Sequence, residues 1–151
     1  MTHHINENCS GCMLCQRVCP VNAISGEKKQ LHSIDANLCI DCGVCGRVCA
    51  FNAVQDAAGK SVEKVKRSEW LKPIWDYDSC VACNICVMAC PTGVIALQFP
   101  NGDRRRDSLP YLQNAKNFIG CSFCADSCPT DAIMMQSVEW IAKGNNTLLE
   151  D

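Results

Sequence analysis

Four runs of cysteine divide this chain, and three of them share one spacing, Cys-x2-Cys-x2-Cys-x3-Cys. They are Cys9, Cys12, Cys15 and Cys19; Cys39, Cys42, Cys45 and Cys49; and Cys80, Cys83, Cys86 and Cys90. The fourth is shortened to Cys121, Cys124 and Cys128. The fifteen cysteines are about a tenth of the 151 residues, a level that means either a disulfide scaffold or a metal-held fold. An odd total leaves one thiol over in any all-disulfide scheme. Residues Met1 to Glu7 contain no apolar stretch of the signal-peptide kind. A reducing compartment, the cytoplasm, is therefore expected, where thiols stay available to metal.

The rest of the composition excludes several classes. Apolar stretches such as Pro91 to Leu97 fall far short of the roughly 20 residues a membrane helix needs, so no direct membrane insertion is expected. Aromatic residues are 6% of the chain, and each half is too small to depend on a large apolar core. Bound metal is expected to complete the core, and the apo-chain to be largely unfolded. Structural zinc favours paired Cys-x2-Cys units over a four-member run. Gly59-Lys60-Ser61 has the end of a phosphate-binding loop, but Val54 stands where that motif needs glycine.

The runs repeat on two scales. Cys9 to Pro20 matches Cys39 to Ala50 at an offset of thirty residues, and the apolar tails Asn22-Ala23-Ile24 and Asn52-Ala53-Val54 follow them. Such a period implies two equivalent units packed on each other. Cys80 to Cys90 and Cys121 to Cys128 repeat the plan at an offset of thirty-eight, lengthened by an insertion at 98–118. The expected organisation is a first unit at 1–58, a linker and lead-in strand at 59–79, and a second unit at 80–151. Pro100, Asn101-Gly102 and Pro110 mark the insertion as turn and loop, and Asp103 to Asp107 reads as a solvated tip. Ser61 to Trp70 is left open between strand and short helix.

Locally, the first three cysteines of each run are expected on an irregular loop. Gln16 to Val18 and Asn84 to Ala89 are expected to begin helical turns that Pro20, Pro91 and Pro129 stop. Short strands are expected at Ala23-Ile24, Leu31 to Ile34, near Ile74-Trp75, and at Val94 to Leu97. His3 and His4 are expected in a mobile tail and His32 on a strand. Trp70, Trp75, Tyr77 and Trp140 suit either a small core or an interface.

With these runs the chain resembles the bacterial two-cluster ferredoxins, joined in tandem as in polyferredoxins. The resemblance implies an α+β fold of two tandem ferredoxin-like units, with short strands and helices around iron-sulfur clusters. In that family the fourth cysteine of one run serves the other run's cluster. Carried over, cluster A takes Cys9, Cys12, Cys15 and Cys49, cluster B takes Cys39, Cys42, Cys45 and Cys19, and cluster C takes Cys80, Cys83, Cys86 and Cys128. All three are [4Fe-4S]. Cluster D has only Cys121, Cys124 and Cys90, because Phe118 stands at the first-ligand position. A [3Fe-4S] centre, a [4Fe-4S] centre with an unusual fourth ligand, or no centre at all are the open outcomes. Asn117 and Asp126 are nearby oxygen donors outside the family's ligand position. A different pairing, first run with fourth and second with third, occurs in electron-transfer subunits of molybdenum and tungsten enzymes; the similar spacing of the first two runs favours local pairing.

The implied function is one-electron relay with no catalytic site of its own. The formal charge is -2, and each oxidised [4Fe-4S] centre with four thiolates adds about -2, which disfavours nucleic acid. Gly11, Gly43 and Gly46 are expected to let backbone N–H groups approach sulfur. Ile40, Val44, Val81, Ile85 and Phe123 are expected to keep water away. The implied partners are a catalytic oxidoreductase subunit, a tungsten or molybdenum enzyme among the candidates, a further redox subunit or ferredoxin, and other copies of the chain. A free soluble carrier and a metal-stabilised interaction module are the alternatives.

Overall fold

The computed structural model describes residues 2–99 and 108–137. The tip at Asp103 to Asp107, with Pro100, Asn101-Gly102 and Trp140, lies outside the described residues. The chain divides into two compact units, Met1–Arg67 and Ser68–Asp151, and each is built the same way: two short helices and two antiparallel two-stranded sheets. The expected mixed α+β architecture of two tandem units of short strands and helices is therefore what the described residues adopt.

In the first unit β1 (His4–Ile5) pairs with β4 (Val54–Gln55), and β2 (Ile24–Ser25) with β3 (Ser33–Ile34). Helices α1 (Leu14–Val18) and α2 (Val44–Val48) carry the third cysteine of their runs. His4 is thus in a sheet and His3 is buried, neither lying in a mobile tail: the His4 ring donates to Gln55 Oε1 across the strands at 2.7 Å, and His3 is 8% exposed. His32 precedes β3 and is 1% exposed. After β4 an Asx turn at Asp56 reverses the chain, its carboxylate accepting from the N–H groups of Ala58 and Lys60. Residues 61–65 then run back along the unit, with the Val62 N–H on Val54 O and the Val65 N–H on Arg47 O. The open segment Ser61 to Trp70 is one isolated bridge, Ser61 to Gln55, and a 3-10 turn at Arg67–Glu69. This return explains Gly46. Its backbone N–H reaches the Cys45 sulfur as expected, and it also lies in α2 beneath Val62, whose Cβ would stand 2.4 Å from any Cβ at Gly46.

In the second unit β5 (Lys72–Trp75) pairs with β8 (Ile133–Gln136), and β6 (Ile95–Gln98) with β7 (Leu109–Leu112); α3 (Ile85–Ala89) and α4 (Phe123–Asp126) are its helices. The insertion is therefore not all loop. Pro110 sits inside β7 opposite Leu97, where a two-stranded sheet leaves one side of the strand with no ladder donor to supply. Its carbonyl accepts from the Tyr77 hydroxyl at 2.7 Å. Trp70 and Trp75 are each 4% exposed, so both are core. Trp75 packs with Cys86, Val94, Ile95, Phe118, Cys124 and Ile133.

The helix starts and stops follow cysteine and not proline. Every helix begins one residue before the third cysteine of its run, after a left-handed residue: Met13, Gly43, Asn84 or Ser122. The third cysteine is thus helical and not in the loop. α2 stops at an extended Cys49 followed by Ala50, just as α1 stops at Cys19 before Pro20. Proline is compatible with that stop but does not cause it.

Candidate metal centres

One backbone figure recurs four times. The residues before and after the second ligand position, Cys12, Cys42, Cys83 and Cys121, are both left-handed: Gly11 and Met13, Asp41 and Gly43, Ala82 and Asn84, Gly120 and Ser122. A third left-handed residue follows each run, at Asn22, Asn52, Gly93 and Asp131. All twelve have φ between 49° and 69°, a conformation that costs a residue with a Cβ roughly 1–2 kcal/mol. Reversing the backbone on both sides of one cysteine curls the loop into a cup, and short non-Gly residues are held there because the surrounding fold over-determines them. The shortened fourth run makes the same cup.

Three cavities show which cysteines the cups bring together. Cys9, Cys12, Cys15 and Cys49 line one. Cys39, Cys42, Cys45 and Cys19 line a second. Cys80, Cys83, Cys86 and Cys128 line a third. In the fourth place Cys124 lies close enough to Cys121 and Cys90 to feel their charge, and Phe118, 4% exposed, is packed into the same core as Cys124. Asn117 and Asp126 are exposed.

No disulfide joins any of the fifteen cysteines. Among the described residues no three His, Cys, Asp or Glu groups converge as a single metal ion demands. Zinc would need its sulfurs at about 2.3 Å from one point, whereas these cysteines ring a space. That donor set fits a cluster of several irons with sulfide between them.

Burial and mutual charge govern the third cysteines. Burial pushes the Cys15 thiol up to about 11, with the charges of Cys9, Cys12 and Cys49 adding to it. It pushes Cys45 up to about 12, assisted by Cys42, Cys15 and Cys39, and Cys124 up to about 12, assisted by Cys121, Cys86 and Cys90. Cys86 is raised in the same way. The two cups of each unit therefore adjoin through their third cysteines, Cys15 with Cys45 and Cys86 with Cys124. Thiolates crowded so closely need a cation to balance them.

Donors to sulfur are mostly backbone N–H groups. Gly11 N–H reaches Cys9 Sγ at 3.4 Å, and the N–H groups of Ala23 and Ala132 reach Cys19 and Cys128 at 3.3 Å. Of the apolar residues expected to exclude water, Val44 is 1% exposed, whereas Val81 is 61% exposed. Val81 precedes the left-handed Ala82 on the outer rim of its cup, so it borders that cavity without sealing it.

Sequence reasoning missed the two histidines. His32 lines the cavity of Cys9, its Nδ1 donating to Gln30 O at 3.1 Å and lying 3.9 Å from Cys9 Sγ. His3 lines the cavity of Cys39, with Nδ1 2.6 Å from Asp41 Oδ1. That pair has ion-pair distance without hydrogen-bond alignment. Each histidine sits just before the first residue of a strand.

The profile of the 4Fe-4S dicluster domain matches residues 8–53 and again residues 79–132. A second profile of the same description matches residues 38–95. Ferredoxin-2 of Chlorobaculum tepidum is 42% identical over 41 residues, which are 27% of this chain and 64% of that protein, so less than two thirds of the relative is spanned. A chain of the formate dehydrogenase - heterodisulfide reductase - formylmethanofuran dehydrogenase complex from Methanospirillum hungatei aligns at 24% identity over 90% of this chain and 56% of its own, with a TM-score of 0.33.

Proposed function

The chain belongs to the 4Fe-4S dicluster domain family, once in each unit, and on that premise we propose that it relays single electrons between redox partners through iron-sulfur centres held by its fifteen cysteines. A bound cluster supplies a one-electron couple. The chain's own residues do the rest: they hold the irons, donate hydrogen bonds to sulfur and limit water.

In this proposal clusters A, B and C are [4Fe-4S] centres on the cysteine sets carried over from the family, and cluster D rests on Cys121, Cys124 and Cys90. Phe118 stands at the first-ligand position of the fourth run and is buried in the same core as Cys124. Cluster D is therefore either [3Fe-4S] or [4Fe-4S] with a non-cysteine ligand on its last iron. The observation that carries the proposal is the cup of left-handed residues around each second ligand position, four times over, with the adjoining third cysteines giving short steps inside each unit. Cys12 and Cys83 are the exposed cysteines, which makes the edges of clusters A and C the natural points of electron entry and exit.

Four centres exceed the need of a diffusing carrier, which favours a dedicated relay subunit beside a catalytic oxidoreductase, with a tungsten or molybdenum enzyme the expected partner. Anaerobic purification from the native host tests this. Bound iron and sulfide in near-equal amounts, dithionite-reducible paramagnetic signals and a co-purifying catalytic subunit are the expected results. A colourless, zinc-loaded or cystine-bridged protein would sink the proposal. A holo-chain that purifies alone would favour the free carrier. The oxidised spectrum distinguishes the two forms of cluster D, since only the three-iron form is paramagnetic when oxidised.

A further inference from the structure

Backbone donors to cysteine sulfur occur in both units, but in the second unit side-chain donors join them. Cys90 Sγ lies 3.6 Å from Thr92 Oγ1 and Cys128 Sγ lies 3.7 Å from Thr130 Oγ1. Both contacts arise on the same local turn, Cys-Pro-Thr, at the end of a run. At the equivalent places the first unit has Val21 after Cys19 and Phe51 after Cys49, neither of which can donate.

We propose that the Thr92 and Thr130 hydroxyls set the electron affinity of the second unit's two centres, each by donating to the thiolate two residues before it. A ligating thiolate carries no hydrogen and can only accept, so the hydroxyl is the donor. Reduction adds one electron from an external donor, with no bond made or broken and no proton moved. The added negative charge is shared by the ligating sulfurs. A hydroxyl hydrogen beside one of them stabilises the reduced form more than the oxidised, and the midpoint potential rises. Thr92 is half-buried and Thr130 exposed, so water competes more at Thr130 and its influence is the smaller.

The proposal rests on the chain binding iron-sulfur clusters and, through the cross-run pairing, assigns Thr130 to cluster C and Thr92 to cluster D. The test is a dithionite titration of the anaerobic full-length holo-protein, followed by paramagnetic resonance. Thr92→Val is expected to lower the midpoint of one centre and Thr130→Val that of another by less, with iron and sulfide per chain unchanged; Thr92→Ser is expected to keep the wild-type value. Val occupies the equivalent position at Val21, so the substitution suits the turn. Val21→Thr is expected to raise one first-unit midpoint. Midpoints that do not move in fully loaded variants, or a serine variant that shifts as far as the valine one, would overturn the proposal. If the valine variants lose iron, Val21→Thr decides, and the absence of a rise overturns it. Wild-type protein without iron and sulfide would overturn the relay reading itself, and this proposal with it.

Discussion

Gly11, Asp41, Ala82 and Gly120 occupy one position in the four cups, all with positive φ. Ala82 shows that a Cβ can be carried there, so left-handed strain alone does not forbid it. Their surroundings differ. At Gly120 a Cβ would meet nothing nearer than Leu71 O at 3.4 Å; at Gly11 it would lie 2.4 Å from Gln30 N and 2.6 Å from Gln30 O. Backbone on the far side cannot swing aside as a side chain would, and the Lys29 N–H donates to Gly11 O at 3.0 Å, tying the two segments together. Gly120→Ala should therefore cost only the strain, about 1 kcal/mol. Gly11→Ala adds overpacking of about 1–3 kcal/mol, for a total near 3 kcal/mol. Read as rates of cluster loss in denaturant under argon, followed by visible absorbance, that is less than about tenfold acceleration against roughly a hundredfold. The fast phase of Gly11→Ala should carry the first unit's share of the absorbance. Equal rates for the two variants would refute the idea that close backbone approach, and not φ, makes Gly11 necessary.

Gly46→Ala should push Val62 off α2 and expose the amides of residues 61–65 to hydrogen exchange, while adding Val62→Gly should restore their protection; unchanged exchange in the single variant would contradict the packing. Removing iron from the holo-protein with a chelator should abolish most secondary structure by circular dichroism, since Cys15, Cys19, Cys45 and Cys49 are themselves part of the first unit's core; a cooperative thermal transition in the iron-free chain would count against it. Cluster loading should release protons and weaken as pH falls. Cys15, Cys45 and Cys124, pushed up to about 11, 12 and 12, are thiols at neutral pH and have to be deprotonated to ligate. For the iron-free fold the sign is opposite to that of a stabilised carboxylate: raised thiols favour folding fully below about pH 9 and lose that contribution as pH rises through 11 to 12. No release of protons on reconstitution at neutral pH, or loading that does not weaken as pH falls, would contradict this.

Most of the architecture is legible because cysteine spacing is a long-range constraint written locally. Ligands three residues apart that ring a common space leave the loop few shapes, and that repeat fixes the cups, the helices behind them and the tandem units. What escapes the spacing is decided by partners distant in sequence. Pro110 reads as a turn residue until its strand pairs with Leu97, and Gly46 reads only as a sulfur contact until Val62 packs over it as well. His3 and His32 read as tail and strand because nothing in their neighbours' identity says they lie against a cysteine cavity. Val81, apolar in sequence, stays on the surface because a left-handed Ala82 turns the chain after it.

The fourth run shows how far local geometry persists without its full set of ligands. Phe118 stands where the other runs have their first cysteine, yet Gly120 and Ser122 have φ values of 65° and 67°, beside 66° and 65° for Gly11 and Met13 in the complete first run. If only the missing thiolate had shaped the loop, such strained residues would relax toward ordinary values once it was gone. They are held instead by Cys121 and Cys124, by the Phe118 ring in the core and by the α4 turn they lead into. The cup is thus a property of the packed unit as well as of the centre it would hold. The absence of a cysteine at 118 therefore leaves the surrounding backbone in place.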